Sequence, residues 1–146
     1  MKTYSWFVAA MVLGVTPGCV IDSSTPGGTL TLGNNYRPYT TVPAADETPT
    51  GTDWGSNAIA YRGRLTLHVL YNCPANGTGG TVWGTDVYTD DSSVCTAGVH
   101  AGRITVRGGG PVVIEIRAGQ VSYQPSTRNG ITTTDYGNWS GSFVVL

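Results

Sequence analysis

The stretch from Gly84 to Gly102 constrains this chain most. It reads Gly-Thr-Asp-Val-Tyr-Thr-Asp-Asp-Ser-Ser-Val-Cys-Thr-Ala-Gly-Val-His-Ala-Gly. It begins as turn-rich extended chain and ends as a short helix. Asp90, Asp91, Ser92 and Ser93 are helix-starting residues, and a side-chain oxygen of Asp91 or Ser92 is expected to accept from the free N–H groups of the first turn. Val94, Ala97, Gly98 and Ala101 then recur at the spacing of one helical face. Gly102 is expected to stop the helix. So short a helix does not persist in water alone, so the rest of the chain must enclose it, and the rest of the chain supplies strands.

Composition agrees with that demand. Charged residues are 12% of 146 and glycine numbers 21, a balance that favours a turn-rich β protein with a modest core over a helical bundle. The formal net charge is -1, with seven arginines against nine acids once Lys2, the only lysine, is set aside. A nearly neutral domain is a poor polyanion binder, so nucleic acid is not an expected partner.

Residues 1–18 read as an export signal: Lys2 gives the positive start, and Tyr4 to Val15 is a mostly apolar run, too short to span a bilayer. Thr16-Pro-Gly-Cys19 resembles a bacterial lipobox, departing from it at Thr16 and Pro17, and makes Cys19 the candidate lipidated residue. The alternative is simple secretion. Either route takes the mature chain out of the cytoplasm, to a bacterial cell envelope or beyond, where disulfides persist. Residues 20–52, rich in Thr, Pro, Gly, Ser and Asn, read as a disordered tether, with Thr29-Leu-Thr-Leu32 as a stray edge strand. The domain is expected over 54–146.

Within it, Leu65 to Cys73 alternates as a half-buried strand, with His68 on the polar side. Arg103 to Arg107 is expected as a strand with Ile104 and Val106 on one face. Pro111 to Arg117 is the strongest strand signal, with Val112, Ile114 and Ile116 facing one way. Asn129-Gly130 marks a tight turn. Ser142 to Leu146 closes the chain, with Phe143 and Val145 inward.

The order of these motifs resembles the LCCL domain family. Gly84 to Gly102 is similar to its signature, in which a Tyr-Thr-Asp-Asp-Ser-Ser run leads into a Cys-x-Ala-Ala-x-His-Ala-Gly helix. Cys73-Pro-Ala-Asn-Gly77 is similar to its strand-ending Cys-Pro motif. Tyr123, Ser126-Thr-Arg-Asn-Gly-Ile131, Tyr136-Gly-Asn-Trp139 and Ser142-Phe143 are similar to its C-terminal half. The resemblance runs from Trp54 to Leu146. It implies an α+β, mostly β fold in which antiparallel strands and small irregular sheets wrap a short central helix. It also implies an extracellular recognition or structural role; lipopolysaccharide or another glycolipid has been suggested as a ligand of relatives.

With Cys19 assigned to the lipid, Cys73 and Cys95 remain as an even pair in an exported chain and read as a disulfide. Many animal members carry four cysteines; Gly77 stands where another would lie, so that pairing scheme does not transfer intact. His100, with Asp86, Asp90 or Ser92, invites a catalytic reading, but its place near the end of an enclosed helix argues for a packing role. No nucleophile elbow or phosphate loop accompanies it, so no enzyme activity is expected. Asp86, Asp90 and Asp91 match no calcium loop and read as helix-capping residues; no metal or cofactor is expected. Asp90, Asp91, Ser92 and His100 are therefore structural candidates.

Trp83, Tyr123, Arg128 and Trp139 are the candidate ligand contacts, because aromatic faces stack on sugar rings and arginine forks hold anions. Each aromatic is more often core or turn filler than a ligand contact. The expectation is a monomeric, non-enzymatic module held to a membrane by its lipid and binding a glycan or glycolipid. The alternative is a purely structural envelope protein with a protein partner. Gly98 stands where the family has Ala, so Gly98→Ala is expected to stabilise the helix unless close packing demands Gly.

Overall fold

The computed structural model describes residues 41–146 and two short strands before them, β1 (Cys19–Val20) and β2 (Thr31–Leu32), which pair antiparallel. The expected leader and the side chain of Cys19 lie outside the described residues, as does most of the expected tether. The chain forms two compact units, Met1–Thr41 and Val42–Leu146, and the second carries all that follows.

Its strands are β3 (His68–Cys73), β4 (Gly84–Thr85), β5 (Val87–Thr89), β6 (Gly110–Ala118), β7 (Thr127–Arg128), β8 (Ile131–Thr132) and β9 (Gly141–Val145), and α1 spans Val94–His100. Five strands form one sheet in the order β3-β6-β9-β5-β4, every pair antiparallel. β7 and β8 form a separate hairpin through Asn129-Gly130. Both turn residues have positive φ, +50° and +77°, which is what a tight two-residue hairpin turn requires. The fold is α+β and mostly β, with one short helix against antiparallel strands.

Alternation decides which side of the sheet is core. Val69, Tyr71 and Cys73 of β3, Val112, Ile114 and Ile116 of β6, and Phe143 of β9 are buried under the helix. All seven residues of α1 are buried as well, so its stability comes from packing rather than propensity. The core residues, the disulfide and every partner in the five-stranded sheet lie within Val42–Leu146, so this unit folds on its own.

Three expectations fail at strand ends and at the tether. Leu65 to Leu67 does not extend β3: Thr66 has φ +65° and Leu67 N–H donates to Arg64 C=O, so a turn precedes His68. Arg103 to Arg107 is not a strand. It folds into a loop in which Gly109 N–H donates to Thr105 C=O and Gly108 N–H to Thr105 Oγ1, while Ile104 still reaches the core. The last part of the expected tether is ordered: Asp46 and Glu47 N–H donate to His68 C=O, and Leu70 N–H donates to Glu47 C=O. These bonds cover the edge of β3, an exposed ladder that would otherwise pair with another chain. Low apolar content hid this segment, because backbone pairing, the Asp46 side chain accepting from His68 N–H and the Arg64–Glu47 pair hold it rather than apolar burial.

Candidate functional site

The helix is capped by Ser93, whose Oγ accepts from Thr96 N–H. The expected caps do other work. Ser92 Oγ accepts from Trp83 N–H at 3.0 Å and meets Thr89 Oγ1 at 2.9 Å, tying the helix entrance to β5. Asp91 lies half-buried in the turn before the helix. At the other end Gly102 takes φ +77°, its N–H donates to Val99 C=O, and Arg103 N–H donates to Gly98 C=O. This pair of bonds is the Schellman termination that the glycine promised. Cys73 and Cys95 are bonded to each other and fasten α1 to the end of β3. Gly77 makes room for an aromatic ring: a Cβ there would lie 1.7 Å from Trp54 Nε1, which donates to Pro74 C=O.

Asp90 is fully buried and is not a cap. Arg62 grips it with Nε and Nη2 at 2.6 and 2.7 Å, and Trp139 Nε1 donates to it at 2.7 Å. Burial pushes its carboxyl pKa up, but the bonds from Arg62 and Trp139 outweigh that and hold it below the ordinary value. Such an ion pair is stable only because its remaining lone pairs are also satisfied.

His100 is likewise enclosed, with no exposed surface. Its Nδ1 lies 2.9 Å from Tyr88 Oη and its Nε2 3.1 Å from Ser126 Oγ, which in turn meets Thr85 Oγ1 at 2.8 Å. Burial first, and Arg128 second, lower its pKa, so the ring is neutral near pH 7. A neutral imidazole between two hydroxyls donates once and accepts once, which satisfies both nitrogens. The ring locks α1 to β5 and to the segment before β7. None of Asp86, Asp90 and Ser92, its suggested catalytic partners, bonds to the ring.

The four candidate ligand contacts separate. Trp83 and Trp139 come together on either side of Tyr136, edge to face, with ring centroids 6.1 and 5.5 Å from it. Tyr136 is 41% exposed, and both tryptophans are half-exposed. Arg62 lies over the Trp139 ring at 5.2 Å. Tyr123 does not belong to this surface: it is 2% exposed, and its Oη accepts from Gln120 N–H and reaches Gly141 C=O. Its backbone pairs with Tyr136 and so supports the face from below. Arg128 bonds to Asp86, at 2.5 and 3.4 Å, in the group around His100. The sequence offered no local sign of Arg62, whose partner lies 28 residues away.

Asp86 and Asp90 are thus each held by an arginine, and among the described residues no group of three His, Cys, Asp or Glu side chains is placed to hold a metal ion.

Residues 52–143 match the family model of the LCCL domain. The chain belongs to the LCCL domain family. Among curated relatives it is 43% identical to human vitrin over 65 residues, 44% of this chain and 9% of vitrin. It is 34% identical to clotting factor C of Tachypleus tridentatus over 93 residues, 62% of this chain and 9% of that protein. It is 40% identical to human cochlin over 65 residues, 44% of this chain and 12% of cochlin. The chain therefore spans only a small part of each relative. The buried Asp90 and His100 and the Cys73–Cys95 bond are what the LCCL signature builds here: a clamp on a central helix.

Proposed function

We propose that this LCCL domain is a non-enzymatic recognition module that binds saccharide through the Trp83–Tyr136–Trp139 face. One observation carries the reading: three aromatic rings, drawn from positions up to 56 residues apart, pack on one surface with an arginine alongside. Aromatic faces bind the apolar faces of sugar rings, and Tyr and Trp add a polar handle. The saccharide is that of a polysaccharide or of a glycolipid headgroup. The Cys73–Cys95 bond supports an oxidising, extracytoplasmic location. The lipobox-like Thr16-Pro-Gly-Cys19 supports tethering to an envelope membrane through Cys19, with release of Cys19→Ala into the soluble fraction as the result to look for.

A glycan array probed with residues 36–146 tests the binding. Tyr136→Ala, which removes an exposed ring and no buried bond, should abolish the signal and leave the melting temperature close to that of the parent. Loss of neither glycan signal nor affinity in that variant would sink the assignment. The second reading, a structural module against a protein partner, is favoured by the outer face of the sheet. There Leu70 lies beside Val113, and Val144 beside Val87, all half-exposed.

A further inference from the structure

Antiparallel pairing gathers several loops at one end of the five-stranded sheet. Thr66 N–H donates to Ile116 C=O, Ala118 pairs with Gly141, Asp90 N–H donates to Gly141 C=O, and Thr89 N–H donates to Trp83 C=O. The turn before β3, the loop after β6, the segment before β9 and the chain entering β4 therefore lie side by side. Ile59 joins them, because Ala58 N–H donates to Asp90 C=O. Among the described residues the exposed large apolar or aromatic side chains are Val42, Ile59, Leu65, Val121 and Tyr136. Such side chains are ordinary when scattered singly, but all except Val42 stand on these loops. Val42 lies by Pro111 and Leu146, at the other end of the sheet. Firm backbone holds two of the four outward. Thr66 takes φ +65°, a costly conformation for a β-branched residue, and this turn keeps Leu65 outside the alternation of β3. Val121 is 83% exposed at the tip of its loop. That loop is pinned by the bond from Trp139 N–H to Gln120 C=O and by Gly119, where a Cβ would lie 1.9 Å from Trp139 C=O.

We propose that this end of the domain docks on the surface of a zwitterionic lipid bilayer, with Ile59, Leu65 and Val121 dipping beneath the headgroups. The three stand on separate loops and form no continuous patch for a rigid protein surface to match, whereas a fluid interface admits each tip by itself. Trp83, Tyr136 and Trp139 stand at the same end. Their apolar bodies and polar tips suit the level of the headgroups. Charge selects the lipid. Arg62, Arg64 and Arg117 at this end are each paired with a carboxylate, of Asp90, Glu47 and Glu115 respectively. The end therefore offers no surplus positive charge to an anionic membrane, and its attraction to the bilayer is the removal of apolar tips from water. Ile59, Leu65 and Val121 play no part in the saccharide face, and phosphatidylcholine carries no sugar, so either binding can fail without the other.

Residues 36–146 contain the whole folded unit and omit Cys19, so no lipid anchor contributes to the test. Vesicles of pure phosphatidylcholine should carry this fragment down on sedimentation and shift its tryptophan emission to the blue. Added phosphatidylserine or raised salt should change the binding less than about threefold, since little of it is electrostatic. Leu65→Ser with Val121→Ser should weaken partitioning about tenfold or more, for the apolar area no longer buried. Val42→Ser removes an exposed apolar side chain at the other end and should leave partitioning unchanged. All three positions are exposed, so the variants should keep the melting temperature of the parent. Lipid docking is overturned if the parent does not bind phosphatidylcholine, if the double variant binds as the parent does, or if Val42→Ser loses as much. It is also overturned if binding requires phosphatidylserine. Self-association without lipid that the double variant abolishes would likewise overturn it and assign these tips to a second copy of the chain.

Discussion

Trp139 Nε1 donates to Asp90 Oδ1 at 2.7 Å across 49 residues of chain. One side chain thus belongs both to the aromatic face and to the group of donors around the buried Asp90 carboxylate that holds the helix entrance. Arg62 completes the arrangement by gripping the same carboxylate and lying over the same ring. Asp90 is fully buried, so Arg62→Met leaves a desolvated carboxylate without its partner. We expect a loss of about 1–3 kcal/mol in urea unfolding, the cost of leaving a buried carboxylate short of its charged donor. Trp139→Phe keeps most of the ring and removes only the donor, and should cost about 1 kcal/mol. Equal stability of Arg62→Met and the parent would show that the pair is solvated.

At Gly98 the outcome reverses what helix propensity suggests. A Cβ there would lie 2.6 Å from Val112 Cγ2 and 3.2 Å from Val112 Cγ1. The gain of about 1 kcal/mol from replacing a helical glycine is outweighed by overpacking, which costs about 1–3 kcal/mol in a core that is already full. Gly98→Ala should therefore melt lower than the parent. Gly98→Ala with Val112→Ala should melt higher than the sum of the two single effects. Simple additivity in that double-mutant cycle would mean that the helix and β6 are not in contact at this point.

The helix, β6, the closing strand and the disulfide were legible because each is written locally, in period, cap and turn residues. Arg62 was not legible, since only the folded chain brings it to Asp90. Tyr123 and Trp139 look alike in sequence, yet one is core and one surface, because the turn at Gln120 places Tyr123 beneath Gly141. The ordered run near Glu47 escaped notice because backbone bonds and polar side chains, not apolar burial, hold it. Of the candidate ligand residues, Trp83 and Trp139 share a face, whereas Tyr123 is beneath it and Arg128 serves Asp86.

Cys73 and Cys95 close a loop with a sequence separation of 22. In the chain-entropy view such a closure contributes roughly 3 kcal/mol by restricting the unfolded chain. Non-reducing mass spectrometry should find their two peptides joined. Cys73→Ser with Cys95→Ser should lower the unfolding free energy by an amount of that order. Two freely alkylated thiols in the native protein would refute the bond.

His100 gives the domain its pH dependence. Its folded pKa lies below the ordinary value of 6.5 because the ring is buried and Arg128 is near. The unfolded chain therefore binds a proton at pH values where the folded one does not. Stability is full above pH 6.5 and falls as pH drops from there toward the lower folded pKa. Asp90 acts in a different window: its folded pKa is below 3.8, so its contribution persists until pH falls under that value. Denaturation series at pH 7.5 and pH 5.5 should therefore show a loss to which His100 contributes and Asp90 does not. In His100→Gln the slope across that window should flatten, since an amide does not titrate and still offers one donor and one acceptor. His100→Ala removes the bonds to Tyr88 and Ser126 and should cost about 1–3 kcal/mol at neutral pH. An Ala variant as stable as the parent, with its slope unchanged, would place the imidazole outside the core and reopen it as a reacting group.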